Sequence, residues 1–216
     1  MQRSALQKIC DKVRKAFDAK DEAREKGLTL SRNVIRNSAN AIRAIHRGEF
    51  AQAEALVEQS AQMIQQVAKA LHGHPDVMYA GFLQDAQKEH AEALITMALI
   101  RGDPLPDPDR IKVDYAAYLN GMAESVGELR RHILDRVRRE DSAWGEEMLA
   151  TMDDIYYQLV SFDYPAAISG NLKRTTDVTR SILERTRGDL TSALRQFRLQ
   201  RALREMERKA GEDEGE

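Results

Sequence analysis

LNGMAESVGELRRHIL, residues Leu119 to Leu134, is the stretch from which the fold is read. On a helix of 3.6 residues per turn, Leu119, Met122, Val126, Leu129 and Ile133 fall on one apolar stripe. Glu124 and Glu128, four residues apart, share roughly the opposite side. Their neighbours there include Ala117 and Gly121, small enough to let another backbone or a ligand approach closely. A carboxylate pair among small residues is either a solvated surface or the floor of a polar site.

The rest of the chain repeats this helical pattern. Only 12 glycines and 5 prolines occur in 216 residues, and 31% of the residues are charged. Runs of Val, Ile, Thr and aromatics with period two, the mark of strands, are missing. The class is all-α. A net charge of −2 gives no global basic signature, but 33 Lys and Arg against 35 Asp and Glu leave room for strong local segregation. The single cysteine, Cys10, excludes an intramolecular disulfide framework and suits a reducing interior. No run approaches the length of a membrane span, and charges come early at the N-terminus, so a soluble, cytoplasmic protein with no membrane association is expected.

Working along the chain, residues 4–26 read as a charged helix whose Leu6, Ile9, Val13 and Phe17 form one buried stripe, weakly interrupted at Gly27. A second helix covers 28–47 up to Gly48, and a third covers 50–71 up to the turn HGHP. Residues 76–100 come next, closed by RGDPLPDPD, the clearest break in the sequence. A long, interruptible helix over 110–139 carries the opening stretch. Ser142 is a fair N-cap for 143–162, and Pro165 ends or restarts the pattern before 166–187 and 190–209. The organisation is one helical domain of about seven helices over residues 1–209, with an acidic, disordered tail at 210–216.

Chemistry has few places to sit. There is no Gly-rich phosphate loop, no HExxH and no CxxC, and His46, His72, His74, His90 and His132 form no catalytic arrangement. Glu-x-x-His pairs of the kind used by di-iron bundles are missing as well. Carboxylates at helical spacing remain: Glu89 and Glu92 in KEHAEA before the Pro-rich break, and Glu124 and Glu128 after it. Consecutive helices joined by a short connection usually pack side by side, so the two pairs can face each other. Four converging carboxylates repel unless a cation lies between them. Hard Mg²⁺ or Mn²⁺ prefers such oxygen donors and keeps waters that can be made nucleophilic. The plainer alternative is a solvated face, with Glu128 paired to Arg131 and Glu89 to Lys88.

A basic constellation accompanies the acidic one. Arg32, Arg36, Arg43 and Arg47 lie along one side of the second helix with Asn33, Asn37 and Asn40 near the row. Arginine forks in line suit phosphate oxygens, and a solvated face pairing with acids is the alternative. Arg130, Arg131, Arg136, Arg138 and Arg139 follow the second acidic pair. Arg195, Arg198, Arg201 and Arg204, interleaved with Leu194, Phe197, Leu203 and Met206, belong to a helix more suited to packing than to a polyanion.

The order of these segments resembles the translin family, translin and translin-associated factor X. YLNGMAESVGEL is similar to that family's YLxGxxxxxxEL segment, MDDIYYQLVSFDYP to its acidic-aromatic helix end, and LKRTTDVTRSILERTRGDL to its late Lys-Asp-Val helix. REKGLTLSRNVIRNSANAIRAIHRGE is similar to its early basic helix. The resemblance implies a seven-helix fold and a hollow homo-octamer that binds single-stranded or short duplex RNA and also ssDNA. Its factor X branch implies an Mg²⁺-dependent endoribonuclease, whose acidic pairs fall by motif on Glu89 and Glu92 and on Glu124 and Glu128. That branch often has Asp at the position of Glu124. All four acids are present, which favours the catalytic branch, with Arg32, Arg36, Arg43 and Arg47 holding nucleic acid. Two other readings stand beside it. One is a translin-type RNA or ssDNA scaffold without turnover. The other is an all-α nucleotide pyrophosphohydrolase, although that class pairs ExxE with ExxD where this chain has ExxxE.

Overall fold

The computed structural model describes residues 2–138 and 143–213. Among them are six long helices, α1 (Gln2–Arg47), α2 (Phe50–Leu71), α4 (Phe82–Arg101), α6 (Tyr115–Val137), α7 (Ala143–Val160) and α9 (Leu172–Asp213). Three single turns, α3 (Pro75–Met78), α5 (Pro108–Ile111) and α8 (Ala166–Ser169), lie between them. No strand occurs among the described residues, and no described helix is long and apolar enough to cross a membrane.

Contacts divide the chain into two compact units, residues 1–122 and 123–216, with the boundary inside α6. In the first unit, α1 and α2 form a helical hairpin about Gly48. Its φ of +79° suits a residue without Cβ. Gly48 N–H donates to the Ile45 carbonyl and Glu49 N–H to that of Ala44, which satisfies two open carbonyls at the end of α1. The same double bond closes α4, where Gly102 N–H donates to Leu99 and Asp103 N–H to Ala98. Val34, Ile64, Val67, Leu71, Leu83 and Ala86 make one buried cluster of α1, α2 and α4. Ala41, Ile45, Ala53, Val57 and Ala93 make a second along the same three helices.

The expected break at Gly27 does not occur, and the first two expected helices are one. A Cβ on Gly27 would lie 3.2 Å from the Phe82 ring and 3.4 Å from Leu71, so this glycine lets α2 and α4 close on an unbroken α1. A second correction concerns Leu6, Ile9, Val13 and Phe17. They share a stripe as expected but are 61%, 60%, 46% and 65% exposed, because α2 runs out of residues opposite Gly27.

The expected helix over 76–100 is split by Gly81 at φ +102°, leaving α3 as a separate turn. The helix over 110–139 is likewise interrupted. Lys112 takes a left-handed conformation (φ 56°), and Asp114 then caps α6 by accepting from Ala116 N–H at 2.9 Å.

In the second unit, α6 residues Val126, Leu129 and Ile133 are fully buried. Complete burial of each such side chain contributes about 1.5–3 kcal/mol. α7 supplies Met148, Met152, Ile155 and Leu159, and α9 supplies Leu172, Leu183 and Leu190. Arg130 ties α6 to α9 through Thr186 (3.2 Å) and Asp189 (2.8 Å), and Arg187 reaches both Asp153 oxygens on α7. Gly170, at φ 64° and ψ −140°, separates α8 from α9, so the helix expected over 166–187 starts later. Gly188 does not break α9, which merges the last two expected helices and continues to Asp213, into the stretch read as a tail. Residues 214–216, Ser142 and Arg139 lie outside the described residues.

Candidate metal and nucleic-acid site

α4 and the start of α6 are brought together by small residues. A Cβ on Gly121 would lie 2.6 Å from the Lys88 carbonyl oxygen and 3.0 Å from both Ala91 Cβ and Glu92 N. The oxygen and the nitrogen are backbone atoms of the α4 turn that carries Glu89 and Glu92. Ala117, one turn before Gly121, is buried at 5% exposure. Ala91, Ile95, Val113 and Tyr118 form the apolar cluster beside this contact, with Leu99, Ile111 and Met122 against it. The Tyr118 hydroxyl donates to the Pro106 carbonyl at 2.7 Å, and Asp114 N–H donates to Gln87 Oε1 at 3.4 Å. The first two turns of α6 are thus fixed on α4, and Glu124 follows on the same unbroken helix.

Three of the four expected acids converge. Glu89, Glu92 and Glu124 each present one carboxylate oxygen within 4.8 Å of the others. Glu92 is only 8% exposed. Oxygen ligands at about 2.1 Å from one Mg²⁺ stand up to about 4.2 Å apart, so small rotamer changes would bring the three onto one hard cation. All donors are oxygens, which fits Mg²⁺ or Mn²⁺ and not a soft metal. Glu128 stands outside this group. Its Oε2 lies 3.9 Å from Arg131 on the same helix, the pairing expected for a solvated face. Lys88 Nζ lies 3.4 Å from Glu89 Oε1, so the cluster carries a cation of its own.

His90, next to Glu89 in sequence, takes no part. It is 1% exposed, and burial pushes its imidazole down to about 4, so it is neutral at pH 7. Neither ring nitrogen has a hydrogen-bond partner among the described residues, and the ring packs as an apolar group.

The basic row is on α1 as expected. Arg32, Arg36, Arg43 and Arg47 are all exposed, and at 100° per residue they fall within an arc of about 60°. Arg36 donates to Asn33 Oδ1 and Arg43 to Asn40 Oδ1, so neutral side chains aim two of the forks. Arg47 is different. Its Nε and Nη2 both reach Glu49 Oε2, and the guanidinium holds the Glu49 carboxyl below its ordinary range. Arg47 therefore already has an anion, supplied from its own chain. The signal for this was in HRGEF, where Gly48 folds the chain back and brings Glu49 under Arg47.

No family model matches the chain. It is 31% identical over 193 residues, 87% of its own length and 84% of the other's, to the uncharacterized protein MJ0175 of Methanocaldococcus jannaschii. Among solved structures it superposes on AfC3PO with a TM-score of 0.78 at 32% identity, over 85% of this chain and 96% of that one. AfC3PO in complex with duplex RNA gives 0.76 at 31% identity, over 85% and 95%. Apo-NeC3PO, at 17% identity, shares the fold, with a TM-score of 0.77 over 85% and 96%.

Proposed function

Since the chain belongs to the translin family, with C3PO proteins among its structural relatives, we propose that it is a metal-dependent endoribonuclease. It acts on short RNA inside a homo-oligomeric shell, a hollow octamer, in the cytoplasm. The observation that carries this reading is the convergence of Glu89, Glu92 and Glu124 from α4 and α6. Bound there, Mg²⁺ or Mn²⁺ would supply Lewis acidity and a water acidic enough to attack a phosphodiester. Glu89, Glu92 and Glu124 would hold that cation, and the small residues of α6 keep the two helices close enough for them to do so. Glu128, one turn further along α6 and beside Arg131, would add negative charge near the cation without being one of its ligands. Arg32, Arg36 and Arg43 hold the RNA backbone, whose duplex form is the ligand in the AfC3PO complex. The test is a labelled short RNA incubated with Mg²⁺, compared with EDTA. Products that form only with Mg²⁺ support the nuclease. Salt-sensitive binding of RNA or ssDNA with no product makes the protein a scaffold.

Alanine at Arg32, Arg36 and Arg43 together is expected to weaken RNA binding and to lower the slope of log K against log salt by about 3, roughly one per phosphate contact. Arg47→Ala is expected to leave the slope unchanged because Glu49 already takes that charge. Fluorescence anisotropy over a salt series measures both, and an unchanged slope in the triple variant removes the row from the interface.

Self-association is supported by the exposed stripe of Leu6, Ile9, Val13 and Phe17. Four large apolar side chains at helical spacing suit a helix of another copy. Ile9→Glu with Val13→Glu is expected to reduce the assembled mass seen by light scattering. An unchanged mass would place the contact elsewhere.

A further inference from the structure

Among the described residues, the Lys88 ammonium stands against the acidic cluster, and its position has a functional consequence. Its backbone carbonyl lies against Gly121, so the residue is anchored where α6 meets α4. Its ammonium lies 3.4 Å from Glu89 Oε1, and both side chains are about a quarter exposed, at 24% and 27%. Glu89 is also one of the three residues whose oxygens gather within 4.8 Å. The same carboxylate is therefore claimed by a lysine and by any divalent cation that enters.

We propose that Lys88 is a built-in counter-ion that competes with the metal for Glu89 and couples metal binding to RNA binding. This inference rests on the nuclease reading above. Before the metal enters, the ammonium offsets part of the repulsion among Glu89, Glu92 and Glu124 and keeps their turn ordered. When a divalent cation takes Glu89, the ammonium becomes a like charge beside it and opposes binding. A lysine is a point charge on a flexible four-carbon stem, and the partial exposure of Lys88 leaves it a way out of the cluster. An RNA phosphate arriving at the site gives the displaced ammonium a new anion. RNA then tightens metal binding, and by linkage the metal tightens RNA binding to the same degree. A site built this way stays weakly loaded until substrate arrives.

The experiment measures the Kd for Mn²⁺ by electron paramagnetic resonance on the intact protein, with and without a short RNA made uncleavable by 2′-O-methylation. Wild type is expected to bind Mn²⁺ about tenfold more tightly when RNA is present, a change of 1.4 kcal/mol. Lys88→Met keeps the length of the side chain and removes the charge. It is expected to bind Mn²⁺ about tenfold more tightly without RNA and to gain nothing further from RNA. Lys88→Arg keeps the charge and is expected to restore the wild-type pattern. Damage to the fold would weaken Mn²⁺ binding in Lys88→Met, the opposite sign. If Lys88→Met leaves the Kd and its RNA dependence unchanged, the Lys88 role is overturned while the metal site stands. If wild type binds no Mn²⁺, the metal reading falls and the Lys88 role falls with it.

Discussion

Glu124→Ala is expected to lower Mg²⁺-dependent RNA cleavage about a thousandfold, the scale on which loss of one preorganised charge-stabilising group is felt, while RNA binding persists. The two effects separate because the acids and the arginines are on different helices. Glu124 comes from α6 and the arginine row from α1. A second readout has the opposite sign. Three carboxylates within 4.8 Å repel when no metal is present, so removing one is expected to hold or raise the thermal midpoint measured in EDTA. Glu124→Asp, a shorter carboxylate of the same charge, is expected to retain part of the cleavage. Normal turnover by Glu124→Ala on a gel of end-labelled RNA would remove this residue from the site.

Gly121→Ala is expected to unfold at lower temperature and to lose cleavage without any change of charge. Alanine has the better helix propensity, by about 1 kcal/mol. Sterics work against it, because the new Cβ would lie 2.6 Å from the Lys88 carbonyl oxygen and 3.0 Å from Glu92 N. Those atoms are the two ends of one turn of α4 backbone and cannot swing aside as a side chain tip can. Overpacking of this kind costs about 1–3 kcal/mol, which equals or exceeds the propensity gain. Whatever separation relieves the clash also moves Glu124 away from Glu89 and Glu92. Metal affinity is expected to fall about 10- to 100-fold, as when a ligand's supporting contacts are lost. Calorimetric melting and Mn²⁺ titration check the two effects. A variant that melts and binds metal like wild type would show that the contact at Gly121 yields without cost.

The helical class and the residues of the acidic cluster were legible because both follow from local spacing. Val126, Leu129 and Ile133 recur on one face and are buried, and Glu89, Glu92 and Glu124 are held where consecutive helices meet. What was not legible depends on partners distant in sequence. Gly27 and Gly81 look alike as residues. Phe82 and Leu71 close over Gly27 within a continuous helix, whereas Gly81 turns to positive φ and ends one. Glu124 and Glu128 are equivalent by periodicity, but only Glu124, one turn nearer to the Gly121 contact with α4, is among the gathered oxygens. Arg47 belongs to the row by spacing, and spacing does not show that it pairs with an acid two residues away around a turn. Spacing marks Leu6 to Phe17 as one stripe, yet the stripe is exposed, since amphipathicity alone does not say whether a face is covered.

α1 has one further consequence as an uninterrupted rod. Its apolar end and its arginine row are the same helix, with no glycine at positive φ and no proline between Val13 and Arg36. Those residues are separated by about 35 Å at 1.5 Å of rise per residue. A surface that grips the apolar end therefore also fixes where the guanidinium groups stand. In the assembly proposed above, the helix would act as a ruler, converting the spacing of copies into a spacing of positive charges, and so into the length of backbone that those charges could follow.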